Sequence, residues 1–312
     1  MSNINKIRSV FLTAVFLLGM LQFSLAQQIP LFSQYQFNKY LYNPAVAGSE
    51  DFIDARLIQR YQWRGITDAP RTFNINAYGP LANQKMGVGG MIYTDIVGPT
   101  RRTGFQGSYS YHLQLNDEMR LGFGLGLGID QYIIDGTQVK LNESDDPALQ
   151  NYLGSSYEFT AKFGVYFYAD KYYAGFSIPQ IIPDRIQIFE SNTNMAKLED
   201  HYILNGGYKF DIGDNFQIEP AVLMRWKSPA PVQFDISAWA YYKEMIWLGV
   251  TYRTDDAVSF GIGFNYQQML MIGYAYDFTT SSLSTYSTGS HEIMLGFRFN
   301  SKSMQKEIPP LL

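Results

Sequence analysis

The stretch that decides the fold runs from Met119 to Gln131 and reads M-R-L-G-F-G-L-G-L-G-I-D-Q. Apolar side chains and glycines alternate in it without a break over residues 121–129. Because successive side chains of a β-strand point to opposite faces, one face of this strand is apolar and the other is nearly bare. Alternation of this kind over about 10 residues is typical of the strands of an outer-membrane β-barrel.

The same alternation returns along the rest of the chain. It covers residues 53–63, 72–78, 86–94, 105–115, 157–168, 172–179, 202–212, 216–226, 232–242, 246–253, 258–267, 270–278 and 291–299. Most of these segments approach the roughly 9–11 residues that a tilted membrane strand needs. The sequence therefore predicts an all-β fold, a transmembrane antiparallel β-barrel of about 14 strands.

The links between these segments sort by length. Tight turns such as Asn116–Glu118 alternate with long links at residues 135–154, 180–200 and 279–289, although the link at 254–256 is a short one on the long side. Outer-membrane barrels have short periplasmic turns and longer external loops. The alternation of short and long links therefore predicts that both chain termini are periplasmic.

The width of the predicted barrel bears on its environment. A barrel of about eight strands can fill its interior with side chains, whereas a wider one leaves a channel or needs a plug. A soluble barrel of about 14 strands with Gly, Ser and Gln inside would have no core, so a double-sheet sandwich is the surviving soluble alternative. Aromatic residues make up 16% of the chain, with 24 Tyr and 22 Phe, which is typical of membrane-interface girdles.

The ends of the chain carry their own signals. Residues 1–26 have a basic start at Lys6 and Arg8, an apolar run and a small-residue end at Ala26, which predicts a cleaved signal peptide and export through the Sec route. An uncleaved anchor helix is the alternative reading. Residues 27–51 precede the first strand and could cap the barrel, plug it or project into the periplasm. The predicted barrel covers 52–300, and 301–312 form a polar periplasmic tail.

Signals for chemistry are sparse. The chain has no cysteine, which excludes disulfides and thiol chemistry, and with a formal charge of −4 it has no cluster of Lys and Arg, which argues against nucleic acid as a partner. His112, His201 and His291 are far apart and have no ligand-spaced neighbour, and no nucleophile motif is present. The sequence predicts no enzyme, no cofactor and no metal, with a surface Ca²⁺ site at Asp145–Asp146 left open.

Three stretches carry a resemblance beyond alternation. They are Phe32–Asn38 (FSQYQFN) with Asn43–Gly48 (NPAVAG), Arg60–Gly65 (RYQWRG) with Ala69–Thr72 (APRT), and Gly87–Gly90 (GVGG) with Asp95 and Gly98. Together they resemble the opening of the PorP/SprF family, outer-membrane proteins of the type IX secretion system in Bacteroidetes. Looser similarity at residues 173–177 and 247–253 extends this resemblance over the mature chain. The chain departs from the family pattern at 66–68, where a Gly is usual.

The resemblance implies an outer-membrane component of the type IX secretion and gliding machinery. It implies a non-catalytic docking barrel whose partners are the type IX translocon barrel, periplasmic peptidoglycan-linked lipoproteins, and secreted substrates or adhesins with C-terminal sorting domains. The fold adds outer-membrane lipids as surroundings. A passive solute channel is the alternative function, and an outer-membrane enzyme is a third that lacks a candidate site.

The family stretches also supply candidate partner-binding or motif residues. These are Phe32, Gln34, Tyr35, Phe37, Asn38, Asn43, Pro44, Gly48, Trp63 and Pro70. A structural role competes with a functional one at each position, because Asn-Pro and Ala-Pro pairs set turns and a Trp can anchor a membrane rim.

Overall fold

The computed structural model describes residues 30–81, 84–135, 137, 153–182, 201–227 and 230–299. Its strand segments form one antiparallel sheet. They are β1 (Ile53–Tyr61), β2 (Arg71–Pro80), β3 (Met86–Val97), β4 (Thr100–Gln114), β5 (Arg120–Asp135), β6 (Leu153–Tyr168), β7 (Tyr172–Ile178), β8 (His201–Tyr208), β9 (Phe210–Ile212), β10 (Phe216–Lys227), β11 (Gln233–Tyr242), β12 (Ile246–Arg253), β13 (Ala257–Tyr266), β14 (Leu270–Thr279) and β15 (Ser290–Phe299).

The sheet closes on itself. Strands that are neighbours in the chain pair with one another. The last strand, β15, also pairs with β1, from Tyr61 opposite His291 to Ile53 opposite Phe299. Segments β8 and β9 both pair with β10 in one continuous register, and the interruption lies beside Pro220, which has no N–H to donate to the ladder. They count as one strand, so the 15 segments make a closed barrel of 14 strands. The predicted fold class is confirmed.

The two faces of the barrel differ in polarity as the alternation predicts. On β5, Leu127 is 60% exposed on the outer face, whereas Asp130 is 1% exposed on the inner face. Outward apolar side chains recur on every long strand, including Ile75, Phe159 and Ile262. An apolar belt of this extent is stable against acyl chains and unfavourable against water, so the outer face contacts lipid.

One link differs from its prediction. The alternation predicts one strand that ends at residue 94 and a next strand that begins at residue 105, but the structure continues β3 to Val97 and starts β4 at Thr100, which leaves a turn at Gly98–Pro99. The backbone pairing extends past the apolar band into a polar stretch, from Ile92–Phe105 to Val97–Thr100. Alternation fades there because neither face meets lipid. This tight link lies on the same side as 254–256, so it is a second exception to the length rule.

The two ends of the barrel are distinct. We call the end with the links 115–119, 169–171, 213–215, 243–245 and 267–269 the tight-turn end, and the end with the links 62–70 and 280–289 the loop end. β1 begins and β15 ends at the tight-turn end. Its assignment to the periplasm stays a prediction. The predicted signal peptide, the tail at 301–312, Asp145–Asp146 and most of the links at 135–154 and 180–200 lie outside the described residues.

Helical structure among the described residues is confined to short 3-10 turns. Three of them precede β1, at Tyr35–Phe37, Lys39–Leu41 and Pro44–Val46, and another lies at Ser282–Thr285. No helix in the described ranges is long and apolar enough to cross a membrane.

Candidate functional site

Residues 31–49 lie inside the barrel, and we call this segment the plug. Every residue of the plug except Phe37 and Lys39 is buried. Its polar groups contact strands around the circumference, from β1, β4, β6 and β7 to β10, β11, β14 and β15. The sequence leaves open whether this region caps, plugs or projects. The structure places residues 31–49 in the lumen, running from the loop end to the tight-turn end.

The Asn-Pro pair shapes the lower part of the plug. The Asn43 side chain accepts a hydrogen bond from the Ala45 N–H at 2.9 Å and donates one to the Val165 carbonyl of β6 at 2.9 Å. Pro44 occupies the first position of the 3-10 turn, where a missing N–H costs nothing. The same asparagine therefore caps the turn and ties it to the barrel wall.

Replacing Asn43 with alanine is expected to lower the free energy of unfolding by about 2 kcal/mol, because both the cap and the wall bond are lost. Denaturant unfolding of the purified barrel in detergent measures this change. Asn116 is the matched control, since its side chain caps an exposed turn by accepting from Glu118 and Met119. Asn116→Ala should cost less, and equal losses would contradict the wall attachment.

The bare face of β5 is the surface against which the plug packs. A Cβ added at Gly124 would lie 2.2 Å from the Ala45 nitrogen. At the end of the plug, Gly48 has a φ of +78°, and a Cβ there would lie 2.6 Å from the Gly87 Cα. The glycines that decide the fold class therefore also make room for the plug.

A cluster of buried charges lies at the loop end on the other side of the lumen. We call it the charged cluster: Arg60, Arg225, Asp235, Arg253, Asp277 and Glu292. Arg60 pairs with Asp277 at 2.6 Å and with Glu292 at 3.1 Å. Asp235 bridges Arg225 at 2.5 Å and Arg253 at 3.2 Å. Within the described ranges no three His, Asp or Glu side chains are grouped to hold a metal ion, and these carboxylates pair with arginines.

The charged cluster holds the start of the plug. The N–H groups of Ser33 and Gln34 donate to the two carboxylate oxygens of Glu292 at 2.8 and 2.9 Å. The Ser33 hydroxyl donates to Asp277 at 2.7 Å and accepts from Arg60 at 2.8 Å. Charge-assisted hydrogen bonds of this kind are about twice as strong as neutral ones. The upper end of the plug is therefore fixed by at least three charged side chains.

Aromatic contacts hold the middle of the plug. The Phe37 ring lies 4.9 Å from Trp239 and 4.7 Å from Trp247, between centroids. Tyr40 stacks on Tyr78 at 4.6 Å, and its hydroxyl lies 2.7 Å from the Ser108 hydroxyl. Burial raises the pKa of Tyr40 to about 12, so this phenol remains protonated at neutral pH. Burial likewise raises the pKa of Tyr35, whose hydroxyl lies 3.2 Å from Ser237.

The lower end of the plug is fixed at the tight-turn end. The Ala47 carbonyl accepts hydrogen bonds from His112 Nε2 at 2.7 Å and from the Ser110 hydroxyl. The other ring nitrogen, Nδ1, lies 3.0 Å from the Tyr168 hydroxyl, which donates to it. The histidine thus carries its proton on Nε2, and the isolated His112 of the sequence is a plug anchor.

Comparison with known protein families decides the identity. Residues 24–297 match the family described as type IX secretion system membrane protein PorP/SprF. The chain belongs to the PorP/SprF family. The resemblance carried by the three sequence stretches is confirmed, and the protein is a membrane component of the type IX secretion system. No curated protein matches the sequence significantly.

This PorP/SprF protein is similar in fold to a solved barrel structure. The monoaromatic hydrocarbon channel CymD is 12% identical with a TM-score of 0.50, covering 88% of this chain and 94% of that chain. A FadL homologue from Pseudomonas aeruginosa is 11% identical with a TM-score of 0.48, covering 88% and 95%. The family and the barrel fold together place the protein in the outer membrane, as predicted.

The structure brings most of the candidate residues together and separates two of them. Eight of the ten lie in the plug of this PorP/SprF protein: Phe32, Gln34, Tyr35, Phe37, Asn38, Asn43, Pro44 and Gly48. Trp63 and Pro70 lie in the link 62–70 at the loop end. The Trp63 N–H donates to the Ser290 hydroxyl at 3.0 Å, and the Pro70 carbonyl accepts from the Gln62 N–H at 2.9 Å. These two residues shape the loop end, not the plug.

One motif residue has no evident partner. Asn38 is fully buried, and neither the nitrogen nor the oxygen of its side-chain amide forms a hydrogen bond with a described residue. Nothing in the described part of the chain explains an amide here.

Sequence reasoning also missed four anchors, Ser33, Arg60, Asp277 and Glu292. Ser33 and Arg60 lie inside the family stretches, and the two acids lie on the inward face of their strands. Arg60, Asp277 and Glu292 share a signal that could have identified them, which is a charged side chain at an inward position near a strand end.

Proposed function

We propose that this PorP/SprF protein is a non-catalytic docking barrel. It holds a secreted substrate bearing a C-terminal sorting domain at the loop end, and it binds the translocon barrel and periplasmic lipoproteins at its rims. One structural observation carries the proposal. The plug occupies the lumen and is fixed at both ends and in the middle, so the rims are the surfaces open to a large partner. Membership of the family supports the same role.

The loop end presents an ordered surface for such a partner. The links 62–70 and 280–289 bind each other, and we call them together the loop-end platform. The Arg64 N–H donates to the Gly289 carbonyl at 2.8 Å, and the Thr288 N–H donates to the Arg64 carbonyl at 2.6 Å. Tyr286 stands on this platform with 72% of its surface exposed. An exposed aromatic side chain on a rigid support is a typical anchor of a protein interface.

Tyr286→Ser is expected to weaken substrate capture roughly tenfold, because an aromatic anchor is lost from the interface. The measurement is the amount of each companion recovered with the tagged barrel from outer membranes in mild detergent. Tyr157→Ser is the control, since Tyr157 is 66% exposed on the wall of β6, away from the platform. Equal recovery of the companions with both variants would show that the loop-end platform does not bind the substrate.

A clean deletion tests the function as a whole. Without the barrel, a particular surface protein or adhesin should accumulate inside the cell or lack its surface attachment. An unchanged set of secreted and surface proteins would contradict the docking function. The channel alternative instead predicts steady conductance of the unmodified protein in planar bilayers.

A further inference from the structure

A small cavity lies between the plug and the barrel wall on the side away from the charged cluster. It has a volume of about 60 Å³, several times the ~10–15 Å³ that one buried water requires. The plug contributes Phe32 and Tyr42, and the wall contributes Arg102, Lys162 and Gln180. We call this cavity the lumen pocket. Since Arg102 and Gln180 lie near the loop-end limits of β4 and β7, the pocket lies toward the loop end.

Two hydrogen-bond donors line the lumen pocket, the ammonium of Lys162 and the side-chain amide of Gln180. Lys162 makes no ion pair with any carboxylate in the described ranges. Gln180 is 6% exposed, and its Nε2 atom has no hydrogen-bond partner among the residues that the structure describes. A buried donor without an acceptor, such as the Gln180 amide, is unfavourable, and the half-buried Lys162 stands beside it as a cation. We therefore expect a hydrogen-bond acceptor to bind in the cavity that these two side chains line.

The nearby acids are already engaged. Asp130 accepts from the Tyr93 hydroxyl at 2.6 Å and from Arg102 at 2.6 and 3.1 Å. Asp95 accepts from the Thr72 hydroxyl at 2.6 Å. No Asp or Glu is among the residues that line the pocket. Arg102 pairs with Asp130, whereas Lys162 lines the cavity without an ion pair among the described residues.

We infer that the lumen pocket binds a single carboxylate group. One positive charge and one amide donor match a monoanion with two acceptor oxygens, whereas a phosphate dianion would need a second cation. The Phe32 and Leu41 side chains offer an apolar wall for a short alkyl group beside the carboxylate. Free short-chain carboxylic acids and the C-terminus of a polypeptide share this chemistry. The inference stands independently of the docking function.

The test uses the full-length protein in detergent with ¹³C-labelled acetate at constant ionic strength, held with sodium chloride. The NMR linewidth of acetate reports binding. The wild-type protein should broaden the signal, and Lys162→Met should weaken the apparent affinity roughly tenfold through loss of the charge-assisted bond. Gln180→Leu should weaken it as well. Lys171→Met is the control, because Lys171 lies in an exposed turn and pairs with Asp211 at 2.7 Å.

Two short peptides that differ only in a free or an amidated C-terminus identify the source of the carboxylate. Competition with acetate by the free form alone assigns the site to a chain terminus, and acetate binding without peptide competition assigns it to small acids. Absence of broadening with the wild-type protein overturns the inference. So does wild-type affinity in Lys162→Met or, if that variant does not fold by gel-mobility shift on heating, in Gln180→Leu.

Discussion

Arg60→Met is expected to lower the free energy of unfolding by about 3–5 kcal/mol, the cost of leaving buried charges without their partner. The Arg60 guanidinium pairs with Asp277 and Glu292, and all three side chains are at most 2% exposed. Without it, Glu292 loses its ion pair and Asp277 keeps only the longer one to Arg253, at 3.7 Å, among the described residues. The same change removes the donor to the Ser33 hydroxyl, so the upper end of the plug loosens too.

Denaturant unfolding and the heat-dependent gel shift of the barrel measure this effect. Lys171→Met is the control, and it should leave stability nearly unchanged because its ion pair is exposed. A triple variant with Asp277→Asn and Glu292→Gln added should recover part of the loss, since the stranded charges are then absent. A single variant as stable as the wild type would show that the charged cluster does not hold the plug.

Gly124→Val is expected to displace the plug and to open a conducting lumen. The new Cβ would lie 2.2 Å from the Ala45 nitrogen, which is backbone and cannot swing aside as a side chain would. The strand itself tolerates valine, a good β-former, so the barrel should still close. A 14-stranded barrel without its plug leaves an aqueous passage.

Single-channel recording in planar bilayers measures the result, with the unmodified protein expected to show little conductance. Gly107→Val is the matched control, because a Cβ at Gly107 meets nothing within 4 Å. The control should behave as the unmodified protein does. A closed Gly124→Val barrel, or an unmodified protein that conducts steadily, would contradict the plug as the seal of the lumen and favour the channel alternative.

The fold could be predicted from the sequence because contact with lipid imposes a pattern on neighbouring residues of each strand. Apolar and polar positions alternate along each strand, as they do from Leu121 to Ile129, and tight turns separate the strands. The number of strands and the closure of the barrel follow from this pattern. The extension of β3 to Val97 could not be predicted, since the ladder there continues where no lipid imposes a pattern.

The site was predictable only in part. The stretch from Phe32 to Gly48 stands out as a motif, but its position in the lumen depends on contacts with residues more than 200 positions away, such as Glu292. Contacts between residues so far apart in the chain produce no local pattern in the sequence. Trp63 and Pro70 share the family stretches with Arg60, yet only Arg60 faces inward and reaches the plug.

The plug leads directly into β1, which meets β15 where the two ends of the barrel wall join. Arg60 belongs to one side of this seam and Glu292 to the other, and Ser33 binds both from within. Ser33, which precedes β1 in the chain, thus connects the first strand of the barrel to the last one. The pairing of β1 with β15 and the plug contacts across it stabilise each other, so we expect them to form and to break together.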